Sequence, residues 1–129
     1  MFNSNGGTAI DTITHIENGD TINAPSAPVK TGHIFGGWFL DAEFEMAKNF
    51  NDAITQSLVL FAKWTPMVFD IVFYDVGGGV FSGTHGNYNP VTHTFGTETI
   101  LVASTREGFI FGGWFMCVDG DGEAIYAIN

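Results

Sequence analysis

Four sets of residues in this chain have types and spacings that chemistry could use. Asp119-Gly-Asp-Gly-Glu123 sets carboxylates at alternate positions, as the opening of a calcium loop does. A complete loop also needs a bidentate glutamate further on and a helix on either side, and the sequence closes at Asn129 before that glutamate. An acidic turn is therefore the preferred reading, and no calcium dependence is expected. Four histidines, His15, His33, His85 and His93, lack companions at metal-ligand spacing, and the single cysteine, Cys117, has neither a disulfide partner nor a ligand set. Trp38, Trp64 and Trp114 could serve as sugar-stacking platforms or as core rings. No Ser-His-Asp grouping stands on a recognisable elbow, and Val76-Gly-Gly-Gly-Val80 lacks the lysine and helix of a phosphate loop. No catalytic, cofactor-binding or metal-ligating residue is assigned, and enzyme is the weakest class.

The elements that must position these residues are announced by a repeat. Gly32-His-Ile-Phe-Gly-Gly-Trp-Phe39 returns as Gly108-Phe-Ile-Phe-Gly-Gly-Trp-Phe115, so Trp38 and Trp114 recur beside the same glycine pair. A repeated module keeps its core more readily than a ligand site, which favours the core reading of both rings. His33 takes the place of Phe109, which favours a partly buried packing ring. The glycines, without Cβ, let the backbone bend or a second strand approach closely. The repeat divides the chain into modules at 1–66 and 67–129, each near the lower size limit of independent stability.

Composition narrows the partners. Four Lys and Arg against 14 Asp and Glu give a formal charge of −10, which repels nucleic acid, anionic membranes and sulfated polysaccharides. No run is long and apolar enough to span a membrane, and no signal sequence opens the chain. Met1 stands directly before a strand, as expected of a fragment of a longer protein whose signal and anchor lie elsewhere.

Along the chain, short strands are expected at Phe2–Asn5, over Ile10–Ile16, at 58–64 and over 68–74, the last with Phe69, Ile71 and Phe73 as a buried face. Asn18-Gly19 marks a hairpin turn, and Pro25 and Pro28 hold their segment extended. Residues 41–48 read as one or two helical turns capped by Asp41, with Phe44 and Ala47 on one face. In the second module Gly77-Gly78-Gly79 matches Gly6-Gly7, and Thr92-His93 matches Thr14-His15. An insertion of about seven residues falls in the loop 82–90. Beyond Phe115 the match fades, and the counterpart of strand 58–64 is missing. An uncovered edge should then make the second module associate with another chain or fray.

Four blocks in order, Phe2–Gly7, Pro25–Gly32, Phe35–Phe39 and Leu60–Thr65, resemble the internalin B-type repeat, also called the Listeria–Bacteroides repeat. Phe73, Gly77-Gly78, Gly108 and Phe111–Phe115 carry a looser resemblance in the second module, which lacks the proline pair and the closing Ala-Lys-Trp. The resemblance implies a mainly β or small α+β fold of two tandem β-grasp-like modules, the second without its last strand. It further implies a non-catalytic stalk or interaction segment of a bacterial surface protein, extracellular, with an unidentified protein or glycan partner. The rival reading from the residues is a carbohydrate-binding module, for which Trp38 and Trp114 would have to be exposed.

Overall fold

The computed structural model describes residues 1–74, 89–116 and 122–129. Its contacts separate two compact units, Met1–Met67 and Val68–Asn129.

Unit 1 is built on a mixed sheet of β1 (Phe2–Asn3), β2 (His33–Phe39) and β3 (Leu60–Pro66). β3 is central, parallel to β1 and antiparallel to β2. The strand alternates as its sequence requires: Leu60 and Ala62 point into the core with Phe2 and Trp38, and Ile10, Phe35, Phe50 and Trp64 pack around them. The glycine pair is a β-bulge. Phe35 faces Trp64 and Trp38 faces Ala62, so Gly36 and Gly37 together oppose Lys63. Gly37 takes a φ of +108°, closed to residues with a side chain, while the Lys63 stem lies 3.5 Å from where a Cβ on Gly36 would be. The bulge turns Trp38 into the core beneath Ala62.

Among the described residues unit 2 holds two antiparallel pairs, β4 (Val68–Asp70) with β5 (Thr92–Thr94) and β6 (Thr99–Ile100) with β7 (Ala127–Ile128). Residues 109–115 copy β2 in sequence yet form no strand; Trp114 bridges Ile125 instead. Among the described residues of this unit, none stands on them as β3 stands on β2.

The mainly β reading and the tandem repeat hold, while three local expectations do not. Residues 41–48 are not helical, and no helix occurs among the described residues. Asp41 does cap, accepting the N–H groups of Glu45 at 2.9 Å and Met46 at 2.8 Å. Phe44, however, sits at φ +60°, which breaks a helix, and the Lys48 N–H donates to the Trp38 carbonyl instead. Ile10–Ile16 forms no strand: its alternation finds no ladder partner among the described residues, whereas β5 in unit 2 is held by β4. Phe69 does not join a buried face with Ile71 and Phe73, which are half-buried; it is 48% exposed, in a three-residue strand whose side chains are all exposed.

Turn geometry also corrects the alignment of the two modules. Asp20 N–H donates to the Glu17 carbonyl and Thr97 N–H to that of Thr94, with Gly19 and Gly96 both at positive φ. Counting back from these turns, His93 occupies the place of Ile16 rather than His15. The expected turn at Gly77–Gly79, the inserted loop through 88, His85 and Cys117 lie outside the described residues.

Candidate functional site

The aromatic residues come first, because binding would have to use them. In unit 1 the Trp38 ring meets Phe2 at 4.9 Å and Phe35 at 5.5 Å between centroids, and Phe35 in turn meets Trp64 at 5.5 Å. Unit 2 repeats the cluster: Trp114 meets Phe73 at 4.7 Å and Phe111 at 5.1 Å. Trp38 is 5% exposed and Trp114 half-buried. Each remaining indole N–H finds a backbone carbonyl, Trp64 at Ser4 and Trp114 at Val102, both 2.8 Å away. The Trp38 indole N–H is buried without a hydrogen bond. The rings meet tilted or edge to face, as aromatic clusters pack, and in unit 1 that cluster belongs to the core.

The histidines do not converge. His33 is half-buried, its Nδ1 2.9 Å from the Thr31 carbonyl. His15 is exposed at φ +60°, beside the Thr14 hydroxyl at 2.9 Å. His93 is buried with its Nδ1 2.9 Å from Thr99 Oγ1, a strand-to-strand contact inside unit 2. Among the described residues no three His, Cys, Asp or Glu side chains gather where a metal ion could bind. Most of the acidic run, residues 119–121, falls outside the described residues, and Glu123 is exposed.

One cavity of about 650 Å³ opens in unit 1, between Met1–Phe2, residues 12–18 and residues 54–60. Ile13, Ile16, Ile54 and Leu58 give it an apolar lining, and His15 and Glu17 are its titratable groups. Both side chains are exposed, and the other polar lining residues are Thr12, Thr14, Asn18, Thr55, Gln56 and Ser57. Sequence reading missed this groove. Its one signal was the isoleucine spacing at 10, 13 and 16, and the opposite wall lies about forty residues away along the chain. The Asp41 carboxyl is held below the ordinary aspartate range by the Glu45 and then the Met46 backbone N–H groups. That is the chemistry of a turn.

Among the described residues no helix is long and apolar enough to cross a membrane. Comparison with known proteins bears on the repeat directly. The family model of the Listeria-Bacteroides repeat domain matches twice, over residues 1–63 and 69–128. Two curated relatives come from Evansella cellulosilytica. One, named a putative Gly-rich membrane protein, is 30% identical over 115 residues, covering 88% of this chain and 12% of the relative. The other, named a putative membrane protein, is 34% identical over 128 residues, covering 95% of this chain and 18% of the relative. The chain thus spans less than a fifth of either relative. No solved structure matches. With a positive-φ glycine beside the tryptophan and the aromatic cluster both occurring twice, and the family model covering nearly all of both units, the chain belongs to the Listeria-Bacteroides repeat domain family.

Proposed function

We propose that this chain is a non-catalytic spacer segment of an extracellular bacterial surface protein, two modules in series that also present surface for protein interaction. The observation that carries this reading is where the recurrent residues go. Gly37 and Gly113 both take positive φ, and Phe2, Phe35 and Trp38 make the same ring cluster as Phe73, Phe111 and Trp114. What the two copies keep is the means of building a module, and a string of such modules sets distance. The size of the relatives, of which this chain matches a small share, supports a place within a longer protein. Their names as membrane proteins support attachment at the cell envelope. Burial of Trp38 weighs against the glycan reading, since a ring 5% exposed offers a sugar no face.

Small-angle scattering on the chain and on a head-to-tail doubled chain tests the spacer reading. The maximum dimension should rise by a similar increment with each added pair of modules. A doubled chain that collapses into one compact body would count against it.

A further inference from the structure

We propose that Asn18 is a covalent modification site, at which the chain converts its own side-chain amide to a carboxylate with release of ammonia. The site lies in the turn 17–20 of unit 1, and the proposal is independent of the spacer reading.

Asparagine directly followed by glycine occurs twice in the sequence, at Asn5-Gly6 and at Asn18-Gly19. This pairing is open to ring closure, because glycine has no Cβ to hinder attack by its backbone nitrogen on the side chain before it. The Gly19 nitrogen gives its proton to a base in solvent and bonds to Asn18 Cγ. The Cγ–Nδ2 bond then breaks, and Nδ2 leaves as ammonia with a proton taken from water. The product is a cyclic imide. Water opens it at one of two carbonyls. Opening at Cγ leaves an aspartate at position 18. Opening at the main-chain carbonyl leaves an isoaspartate, in which the chain runs through the former side chain. Nothing is oxidised or reduced, and water is the only co-reactant.

Local chemistry is the same at the two pairs, and the structure separates them. Asn5 is held by its side chain, its N–H and its carbonyl. Its Nδ2 donates to the Ala62 carbonyl on the central strand at 2.8 Å, its N–H to Asn3 Oδ1 at 3.0 Å, and Lys30 Nζ donates to its carbonyl at 3.2 Å. The Ser4 carbonyl in the same turn accepts both the Gly7 N–H at 3.0 Å and the Trp64 indole at 2.8 Å. Moving Asn5 Cγ onto the Gly6 nitrogen therefore means detaching this turn from β3.

Asn18, Gly19 and Asp20 are all exposed, and among the described residues the Asn18 side chain makes no hydrogen bond. A Cβ on Gly19 would meet nothing within 4 Å. Closure is opposed by the bond on the attacking nitrogen: Gly19 N–H donates to the Ile54 carbonyl at 2.8 Å, beside Ile54 N–H to the Asp20 carbonyl at 2.7 Å. No ladder continues from these two bonds. Among the described residues, no backbone hydrogen bond joins residues 12–18 to residues 55–60. A contact of this kind opens locally more often than a turn fastened to the central strand. Conversion then acts on the groove, which both segments line. It sets a carboxylate between those of Glu17 and Asp20, and the isoaspartate lengthens the main chain of the turn by a methylene. Gly19 and Asp20 no longer meet Ile54 in register.

The test incubates the whole chain in mildly alkaline buffer, with and without urea, and follows the peptides containing Asn5 and Asn18 by mass spectrometry. In urea the two sites should convert at similar rates, since each is an Asn-Gly pair. In the folded chain Asn18 should convert faster than Asn5 by about tenfold or more. Amide exchange at Ile54 should quicken as isoaspartate accumulates. Asn18→Gln, whose longer side chain closes its ring far more slowly, should remove both changes. Two results would overturn the proposal. One is Asn18 left intact in the folded chain while it converts in urea, which would make its bond to Ile54 a lock. The other is Asn5 converting as fast as Asn18 in the folded chain.

Discussion

Unit 1 and unit 2 begin from nearly the same eight residues and end with different amounts of structure around them. In unit 1 the repeat becomes an edge strand of a three-stranded sheet; in unit 2 the same residues bridge Ile125 at Trp114 and form no ladder strand. The ring cluster and the bulge glycine survive in both. The short motif therefore encodes a local nucleus, and the strand is conferred by β3. That division matches the physics of sheets, in which a strand is stabilised by its neighbours more than by its own propensity.

The sharpest way to break this comparison is to remove its shared centre. Trp38→Ala should destabilise unit 1 by about 3 to 5 kcal/mol, while Trp114→Ala, at a half-buried site, should cost unit 2 about 1 to 2 kcal/mol. Urea melts of the whole chain, read by residue-resolved exchange in each unit, would measure both. Equal losses would mean that both copies have the same core.

Next come the bulge glycines. Gly37→Ala and Gly113→Ala should each cost about 1 to 2 kcal/mol for the positive φ alone. Gly113→Ala should be the worse, since its Cβ would come within 2.9 Å of the Ala124 Cβ, whereas at Gly37 the nearest atom is 3.8 Å away. A smaller contrast lies one residue earlier. Gly36→Ala should place its Cβ in ordinary contact with the Lys63 stem at 3.5 Å and be close to neutral in thermal melts, and Gly112→Ala should leave unit 2 unchanged, since no described atom lies within 4 Å of its Cβ. The smallest effect is electrostatic. An NMR titration should find Asp41 below the ordinary aspartate range. Its contribution is present at neutral pH and is lost as pH falls through that lowered midpoint, where protonation weakens the bonds from Glu45 and Met46. Asp41→Asn should remove this dependence and leave unit 2 untouched.

The repeat, the β class and the burial of Trp38 were legible in the sequence, because glycines and aromatic residues at fixed spacing have few structural uses. The turn at Asn18-Gly19 was legible for the same reason. Residues 41–48 misled because a capping aspartate and an i, i+3 apolar pair are local signals of a helix. The bond from Lys48 to the Trp38 carbonyl is not local, and it prevails. Ile10–Ile16 misled because alternation states that a strand could form without naming its partner. The groove was invisible for want of any pattern linking residues 12–18 to residues 54–60.

The parallel pairing of β1 with β3 has a mechanical consequence. A pull on unit 1 applied at Met1 and Pro66 drags β1 towards its own beginning and β3 towards its own end. The two strands then slide past one another, and the bonds between them carry load together; an antiparallel pair pulled from the same termini would be peeled open one bond at a time. The ladder is short, with Phe2 beside Leu60 and Asn3 beside Phe61. It is reinforced across the same plane by Leu60 N–H to the Met1 carbonyl at 3.0 Å, Asn5 Nδ2 to the Ala62 carbonyl at 2.8 Å, and the Trp64 indole to Ser4. Rupture under tension follows the rate of unfolding rather than its equilibrium. A module of modest thermodynamic stability can therefore be a stiff link when stretched end to end.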